Sequence, residues 1–187
     1  KHICLYRREQ SPSSVILKEL GRLREIAFRA VGEGTGQRRD LDGYDDDYYH
    51  LLLWDNKELE IVGAYRFMPT REQLERKGHR GLYSYSLFHY DTAMAHILDQ
   101  GIELGRSFIQ PRYWGKRSLD YLWQGIGAFL AQNPQYRYLF GPVSMSASLP
   151  APARDLLVAF YKLHFSPRWP LARSRQPYAN GSLEIAG

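Results

Sequence analysis

The sequence contains one cysteine, Cys4, and no long apolar run, and these two shortages exclude several classes of protein. A single cysteine cannot form a disulfide within the chain or a zinc site built from several cysteines. No apolar stretch approaches the roughly 20 residues that a membrane-spanning helix requires. Because structural disulfides are typical of oxidising compartments, we expect a protein of the reducing cytoplasm.

Motifs of two further functional classes are also missing. The sequence has no Gly-x-Ser-x-Gly turn and no evident cysteine–histidine pair, so it does not resemble a nucleophilic hydrolase. Its aromatic residues do not alternate with basic residues along a strand, as they do in RNA-binding sheets. We therefore expect no nucleic-acid partner.

The composition favours one domain that contains a sheet. Of the 187 residues, 44% are hydrophobic and 14% are aromatic, and most of the aromatic residues are tyrosines. This composition allows a sizeable core, and aromatic residues favour strands. The chain starts at Lys1 without a methionine, and we expect residues 1–187 to be a single domain excised from a longer protein.

Charge is unevenly distributed along the chain. The formal net charge is +5, and residues 104–187 contain ten basic and three acidic residues. A basic half of this kind suits a phosphorylated cofactor, an acidic carrier protein or an anionic membrane surface. The alternative is a basic surface that only water contacts.

The hydrophobic periodicity predicts a succession of helices and strands. Helices are predicted for residues 14–31, 70–78, 91–98, 118–131 and 152–163, and strands or extended segments for 48–54, 60–68, 81–88, 101–110 and 136–145. Ser13 or Ser14 is the expected cap of the first helix, and Thr70 opens a capping-box pattern in the second. This order indicates an α/β (α+β) fold, with helices on the faces of a mixed sheet.

The segment GIELGRSFIQP carries the candidate catalytic residues Glu103 and Arg106. In a regular strand, residues three apart point to opposite faces, so both side chains line one cleft only if a β-bulge lies between them. A bulge at Leu104–Gly105 would also free backbone amides to polarise a thioester carbonyl, while Glu103 accepts the proton of an amine. The alternative is a surface glutamate in an ion pair with Arg106.

A basic turn follows this strand and precedes the clearest helical pattern. Backbone amides at the start of a helix attract phosphates, as do cations beside them. The candidate donor-binding residues are Arg112, Gly115, Lys116, Arg117 and Ser118. Many basic loops bind nothing, which is the alternative here.

The predicted strands 48–54 and 60–68 are separated by the turn Asp55-Asn56-Lys57, which favours a hairpin. An acidic cluster precedes the first of these two strands. It consists of Asp42, Asp45, Asp46 and Asp47, with His50 inside the strand. Three interpretations are open: a solvated loop, recognition of a cationic substrate, or a metal site. A hard metal needs several converging oxygens, and the run lacks the spacing of a calcium loop, so we expect no metal.

The last helical pattern contains a candidate general acid. Tyr161 would protonate a thiolate leaving group if it lay in the cleft, and the alternative is a partly buried helical tyrosine. In the same helix, Leu156, Leu157 and Phe160 are predicted to face inward.

Six short motifs follow one another along most of the chain. RLREIAF contains Arg24 and Phe28, DGYD contains Asp42 and Asp45, YYHLLLWD contains His50, IVGAYRFMPT contains Arg66, YSYSLF contains Ser86 and Phe88, and ELGRSFIQP contains Glu103 and Arg106. From about Leu20 to Phe165 the chain resembles N-acyltransferases of the GNAT superfamily, of the ornithine-lipid-synthesis or haemolysin type. These enzymes are related to acyl-homoserine-lactone synthases.

The resemblance implies a GNAT acyl-CoA N-acyltransferase fold, in which helices flank a mostly antiparallel central sheet. It also implies transfer of a fatty acyl group from a thioester to the amine of an amino acid or related acceptor, in lipid or signal biosynthesis. The donor would be an acyl carrier protein with its phosphopantetheine arm, or acyl-CoA, and no cofactor would be tightly bound. Arg24, Phe28, Asp42, Asp45, His50, Arg66, Ser86 and Phe88 would contact the substrates, and the enzyme would touch the inner membrane peripherally.

Three departures from the family pattern matter. The stretch WGKRSL lacks the two glycines of the coenzyme A pyrophosphate turn, which favours a carrier-protein donor. Leu87 stands where the lipid-synthesis relatives carry a glutamate, which indicates a different acceptor. The stretch YKLHF replaces the expected Tyr-x-x-x-Gly-Phe, which weakens the assignment of Tyr161.

Two rival functions remain open. A non-catalytic module that binds a carrier protein or a membrane within a larger lipid enzyme would also have a degraded phosphate turn, although intact Glu103 and Arg106 favour an enzyme. An acyl-homoserine-lactone synthase ranks lower, because the tryptophan-bearing acceptor loop of those synthases has no counterpart in GEGTGQRRD.

Overall fold

The computed structural model of the chain describes residues 1–8, 14–146 and 148–178. Its strands are β1 (His2–Arg7), β2 (Tyr49–Asp55), β3 (Glu60–Pro69), β4 (Phe88–Tyr90), β5 (Gly101–Ile109), β6 (Tyr138–Phe140) and β7 (Ala172–Ser174). Its α-helices are α1 (Val15–Arg29), α2 (Thr70–Lys77), α3 (Tyr83–Leu87), α4 (Ala95–Asp99), α5 (Ser118–Gln132) and α6 (Ala151–Phe165).

Five strands form the main sheet, in the order β1-β2-β3-β5-β6. Neighbouring strands are antiparallel except β5 and β6, which are parallel. The parallel pairing is short and ends at the pair Glu103–Phe140, so β5 continues without β6 beside it. Strands β4 and β7 form a separate two-stranded antiparallel sheet.

Helices cover both faces of the main sheet, as the sequence pattern predicts. Helix α5 packs on one face through Leu122 and Ile126, and α1 packs on the other through Leu20 and Leu23. All four side chains are buried. Burial of each such side chain contributes about 1.5–3 kcal/mol, so these two helices are firmly held.

The first helix begins where the sequence predicts. The side chain of Ser14 accepts a hydrogen bond from the amide of Leu17 at 3.2 Å, which confirms Ser14 as its cap. The predicted capping box at Thr70 is wrong. The Thr70 hydroxyl instead lies 2.5 Å from the carbonyl of Leu98 and 2.9 Å from that of Gly101, and it ties the start of α2 to the start of β5.

Several predicted elements differ from the structure. Residues 83–87 form helix α3 rather than an extended segment, and the helix predicted for 91–98 is a 3₁₀ turn, Thr92–Met94, followed by the short α4. The strand predicted for 136–145 is limited to Tyr138–Phe140. Strand β1 was not predicted; it is an edge strand whose side chains are mostly exposed, so its sequence lacks a strong apolar alternation.

The last helix differs in orientation. Leu156, Leu157 and Phe160 were predicted to face inward, but they are exposed by 59%, 38% and 50%. The buried residue of α6 is Asp155, which accepts a hydrogen bond from the hydroxyl of Tyr178 at 2.8 Å. None of the helices in the described ranges has the length and apolarity that crossing a bilayer would demand.

Candidate active site

A β-bulge interrupts the pairing of β3 with β5. Between the pairs Ala64–Phe108 and Arg66–Gly105, β5 contains one residue more than β3. Arg106 lies in this bulge with a φ of +51°, in the left-handed region that residues other than glycine seldom adopt. A conformation of this kind costs of order 1–3 kcal/mol and is often retained at functional sites.

The bulge brings Glu103 and Arg106 to the same side of the sheet. The Glu103 carboxylate accepts a hydrogen bond from the backbone amide of Tyr83, and the guanidinium of Arg106 lies 5.3 Å from the ring centre of the same tyrosine. The predicted position of the bulge, Leu104–Gly105, is wrong, because the extra residue follows Gly105.

Glu103 anchors the start of helix α3. It is 1% exposed. One carboxylate oxygen accepts from the amide of Ser84 at 2.5 Å, and the other accepts from the amide of Tyr83 at 3.1 Å and from the hydroxyl of Tyr48. Burial and the neighbouring Glu103 charge raise the pKa of Tyr48, which therefore stays protonated. The carboxylate is fully satisfied in this position, at the positive end of a helix.

A buried cluster of charges lies next to Glu103 on the same face of the sheet. Arg24 Nη1 donates to the Asp45 carboxylate at 3.0 and 3.2 Å, and Arg66 Nη1 lies 3.0 Å from Asp45 Oδ1 and 2.6 Å from Asp42 Oδ1. Nε2 of His50 lies 3.0 Å from the backbone carbonyl oxygen of Asp45, and a proton on Nε2 lets the imidazole donate a hydrogen bond to this oxygen. These contacts hold the loop before β2 against the sheet.

The environment decides the protonation of this cluster. Burial opposes the charge of Asp45, yet Arg24 and Arg66 hold its pKa below the usual value. Burial lowers the pKa of His50 to about 4, so the imidazole is neutral at pH 7. Asp45 is 1% exposed, and the interpretation of the whole acidic cluster as a solvated loop is therefore wrong.

Arg106 connects the buried charges to an open cleft. Its Nη2 lies 3.7 Å from Asp40 Oδ1 and 3.6 Å from Asp42 Oδ2. Burial raises the pKa of Asp40 above its ordinary value, with Arg106 opposing that change. The guanidinium also lines a cleft of about 1140 Å³ that opens where β5 and β6 separate.

Segments from five parts of the chain line this cleft. They are Phe28 of α1 with Glu33 in the loop that follows, Tyr83 and Ser86–Phe88 around α3, Leu104–Ser107 of β5, Leu139–Ser144 from the end of β6 onward, and Ser174–Gln176 from the end of β7 onward, with Tyr65 and Trp123. Gly141, directly after β6, lets the chain pass close to the backbone of β5, since a Cβ at this position would lie 2.0 Å from the carbonyl oxygen of Leu104.

A second cavity, of about 480 Å³, continues from the cleft toward the start of α5. The two cavities share Phe28, Glu33 and Ser107. The second is mostly apolar and ends at Gly115 and Lys116 in the turn before α5. Gly115 has a φ of +71°, a left-handed backbone conformation that glycine adopts more readily than other residues.

The residues predicted from the sequence therefore divide into two groups. Phe28, Ser86, Phe88 and Arg106 line the cleft, and Gly115 and Lys116 line the second cavity. Arg24, Asp45, His50, Arg66 and Glu103 are buried behind the cleft and line neither cavity.

Four predicted residues lie elsewhere. Arg112 is ion-paired with Glu60 in the β2–β3 hairpin, Ser118 is buried, and Arg117 is exposed beside Asp120 at 3.4 Å. Tyr161, the candidate general acid, is 60% exposed on α6 and lines neither cavity. Its position contradicts a role as the proton donor in the cleft.

Glu33 is a further candidate site residue, and no sequence motif identifies it. Among the described residues it is the carboxylate that lines both cavities, and it accepts a hydrogen bond from the hydroxyl of Ser144 at 3.0 Å. Its sequence signal is slight, because it stands between two glycines in a polar loop. Only the fold shows that this loop borders the cleft.

A sheet that splits between β5 and β6, with a bulge beside the split and helices on both faces, is the architecture of the GNAT class. Comparison with known proteins agrees. Residues 23–124 match the family described as acetyltransferase (GNAT) domain, and the chain belongs to this family.

Relatives with curated names are bacterial acyltransferases. The chain is 38% identical over 174 residues to glycine N(alpha)-acyltransferase of Bacteroides thetaiotaomicron, covering 87% of this chain and 52% of the relative. It is 33% identical over 144 residues to L-ornithine N(alpha)-acyltransferase of Brucella abortus, covering 68% of this chain and 49% of the relative. The chain thus spans about half the length of these relatives. The solved AHL synthase LasI matches with a TM-score of 0.48 and 16% identity, over 84% of this chain and 77% of that one.

Proposed function

We propose that the protein is an N-acyltransferase that moves a fatty acyl group from a thioester to the amine of a small neutral amino acid, with glycine as the first candidate. The observation that carries the proposal is the composition of the cleft at the split of the sheet. Its wall contains the guanidinium groups of Arg106 and Arg175 and the carboxylate of Glu33, beside apolar side chains such as Phe28, Leu104 and Val143. A zwitterionic acceptor and an acyl chain match these two kinds of surface.

Arg106 is the proposed partner of the acceptor carboxylate. A guanidinium binds a carboxylate through paired hydrogen bonds, and the Asp40 and Asp42 contacts of Arg106 at 3.6–3.7 Å are loose enough to be exchanged. Arg66 is less suited to this role, because it is 1% exposed and already paired with Asp42 and Asp45.

Glu33 is the proposed acceptor of the amine proton. An amino acid carries an ammonium group at pH 7, and it must lose a proton before its nitrogen can attack. The free amine then attacks the thioester carbonyl carbon, the C–N bond forms, the C–S bond breaks and the thiol leaves with a proton. Amides of the bulge at Arg106 would polarise the carbonyl oxygen. No acyl-enzyme is required, and Cys4 is an exposed residue of β1 outside both cavities.

Glu103 has a different proposed role, that of a positioning residue. The sequence alone favours it as the base, but its carboxylate is buried and occupied by three donors. Those contacts fix the start of α3, which carries Ser86 and Leu87 into the cleft wall. Loss of Glu103 would therefore affect activity through the position of α3.

The proposed donor is a long-chain acyl group on an acyl carrier protein. The second cavity offers an apolar channel between the cleft and the turn before α5, and Lys116 and Arg117 give that turn a positive surface. An acidic carrier protein complements such a surface. The turn contains Gly115 as its one glycine, which suits the flexible phosphopantetheine arm better than the pyrophosphate of coenzyme A.

Leu87 supports glycine over ornithine as the acceptor. It lines the cleft at the position where ornithine-lipid relatives carry a glutamate. Without that acid, Glu33 is the one carboxylate among the described residues that line the cleft, so a second ammonium group, as in ornithine, has no carboxylate of its own there. The relative that shares 38% identity over 87% of this chain is named for glycine, which agrees with this choice.

An acyl-transfer assay tests the proposal. The protein is incubated with palmitoyl carrier protein or palmitoyl-CoA and with glycine or ornithine, and N-acyl products are quantified by mass spectrometry. We expect N-palmitoylglycine as the main product, with the carrier-protein donor preferred. Absence of N-acyl product with every donor and acceptor would refute the function.

Two variants test the residue assignments. Glu33→Gln should lower kcat/KM for glycine by about 10²–10⁴-fold without loss of stability, because general base catalysis is worth that factor and the side chain is exposed. Glu75→Gln, an exposed acid on α2, is the matched control and should leave the rate unchanged. A wild-type rate for Glu33→Gln would exclude it as the base.

The Leu87→Glu variant tests acceptor choice. An added carboxylate should favour ornithine over glycine by about fivefold, the size of a partly exposed ion pair. Leu87→Gln has the same shape without the charge and should show no such change. An equal effect of both variants would contradict the electrostatic explanation.

A further inference from the structure

Helix α6 presents its most apolar stripe to solvent. Leu156, Phe160 and Leu163 recur at i, i+4 and i+7 on one face, and they are exposed by 59%, 50% and 69%. The buried residue of the helix, Asp155, lies about 100° away from this stripe around the helix axis. In a water-soluble domain the apolar face of a helix packs inward, so an outward stripe of this length indicates a contact surface.

The same surface is continuous with the residues that follow the helix. Phe165 and Trp169 are exposed by 66% and 65%, and the guanidinium of Arg168 lies 5.6 Å from the Trp169 ring centre. Tryptophan with a nearby cation is typical of side chains that lie at the boundary between water and lipid. The apolar stripe and this pair together define a docking surface, Leu156–Trp169.

Charge indicates the partner of the docking surface. Within Leu156–Trp169 the basic residues are Lys162 and Arg168, and the sequence has no acidic residue there. The next two arginines are engaged elsewhere, because Arg173 pairs with Asp91 and Arg175 lines the cleft. Pairing two copies of this surface would bring like charges together, which disfavours a dimer. An apolar stripe flanked by cations fits an anionic lipid bilayer, which supplies both hydrocarbon and negative head groups.

The docking surface is close to the cleft along the chain. Ser174, which lines the cleft, stands nine positions after Phe165 at the end of α6. Nine residues span at most about 30 Å. A bilayer bound at α6 would therefore lie within reach of an amphiphilic product that leaves the cleft.

We propose that α6 and the segment to Trp169 dock the protein on membranes rich in anionic phospholipid. The proposal does not depend on the proposed acyl transfer, because it concerns a surface outside both cavities. Its test measures binding to vesicles and not activity. The docking proposal can therefore fail while the acyl-transfer proposal holds, and the reverse is also possible.

Co-sedimentation with vesicles tests the proposal. The probes are phosphatidylcholine vesicles with and without phosphatidylglycerol. We expect binding to the anionic vesicles that is at least about tenfold tighter than to the neutral ones, and that weakens with added salt. The double variant Phe160→Gln with Leu163→Gln should lose at least about tenfold in affinity, because it removes the inserted side chains.

A matched double variant and a fold check make the result decisive. Val15→Gln with Leu59→Asn removes two side chains of similar exposure, 80% and 72%, outside α6, and should bind like the wild type. Circular dichroism should show equal melting for both double variants, since all four side chains are exposed. No vesicle binding, binding that survives loss of the stripe, or concentration-dependent dimerisation through α6 would each overturn the proposal.

Discussion

Replacing Glu103 by glutamine should destabilise the fold, because it removes the anchor of helix α3. The present carboxylate accepts from two backbone amides, of Tyr83 and Ser84, and from the hydroxyl of Tyr48. A glutamine side chain has one carbonyl oxygen and one NH₂ group. Whichever way it is oriented, the NH₂ group faces at least one backbone N–H, and that donor loses its acceptor inside the protein.

The expected cost follows from these contacts. A hydrogen bond to a charged group contributes about 1.5–3 kcal/mol, and a buried donor left without an acceptor costs about 1–3 kcal/mol. With one amide orphaned and the other bonded to a neutral oxygen, we expect Glu103→Gln to lower the free energy of unfolding by about 2–4 kcal/mol. The sequence favours Glu103 as the base of the reaction, whereas these contacts predict that its loss acts on the stability of the fold.

Urea unfolding followed by far-UV circular dichroism measures this loss. Tyr48→Phe is the graded comparison, because it removes one of the three donors and leaves the carboxylate and both amide contacts in place. It should cost less than Glu103→Gln. A glutamine variant within about 0.5 kcal/mol of the wild type would refute the anchoring role. If such a stable variant were also inactive, the direct role as base would be supported instead.

Three further predictions concern the buried charges and the split of the sheet. The pKa of His50 is about 4 in the fold against an ordinary 6.5. As pH falls, His50 therefore binds a proton in the unfolded chain before it does in the folded one. Its buried, neutral form should contribute about 3 kcal/mol to the free energy of unfolding above pH 6.5, and this contribution should be lost as the pH falls toward 4. His50→Gln should flatten the urea-derived stability curve in this window, and an unchanged slope would contradict the assignment. Asp45→Asn should cost about 3–5 kcal/mol in urea unfolding, because it leaves two buried arginines without their shared carboxylate, whereas the exposed Asp46→Asn should cost almost nothing. Gly141→Ala should lower the melting temperature and the acyl-transfer rate together, because its Cβ would lie 2.0 Å from the Leu104 carbonyl oxygen and would push the chain after β6 away from β5. Wild-type values for both would show that this close approach is not needed.

Much of the scaffold could be predicted from local pattern. Helices α1 and α5 and the β2–β3 hairpin have strong periodicity, and Ser14 has the chemistry of a cap. The spacing of Glu103 and Arg106 also required a bulge if both were to face one cleft. Strand β5 has a bulge, but it follows Gly105 rather than lying at Leu104–Gly105. In each case the cause is local, either the 3.6-residue or two-residue repeat or the geometry of a few adjacent residues.

The roles of the charged residues depended on contacts far apart in the sequence. Glu103 was predicted to line the cleft, yet the amides of α3, about 20 positions away, enclose it. Arg66 was expected to hold substrate, yet it binds carboxylates from the loop before β2. Glu33 had almost no sequence signal, and it borders the cleft because the loop after α1 lies over the separated strands.

The sequence by itself determined the layered α/β scaffold and the set of charged and aromatic residues near the split, because repeating patterns and short motifs express local geometry. Only the tertiary structure decided which of these side chains are buried as counter-ions and which line the cleft. It also decided that α6 turns its leucines outward. The physical reason is that burial and charge pairing arise from neighbours contributed by distant segments. A residue's type limits its chemistry, but those neighbours decide whether it holds the fold together or meets a ligand.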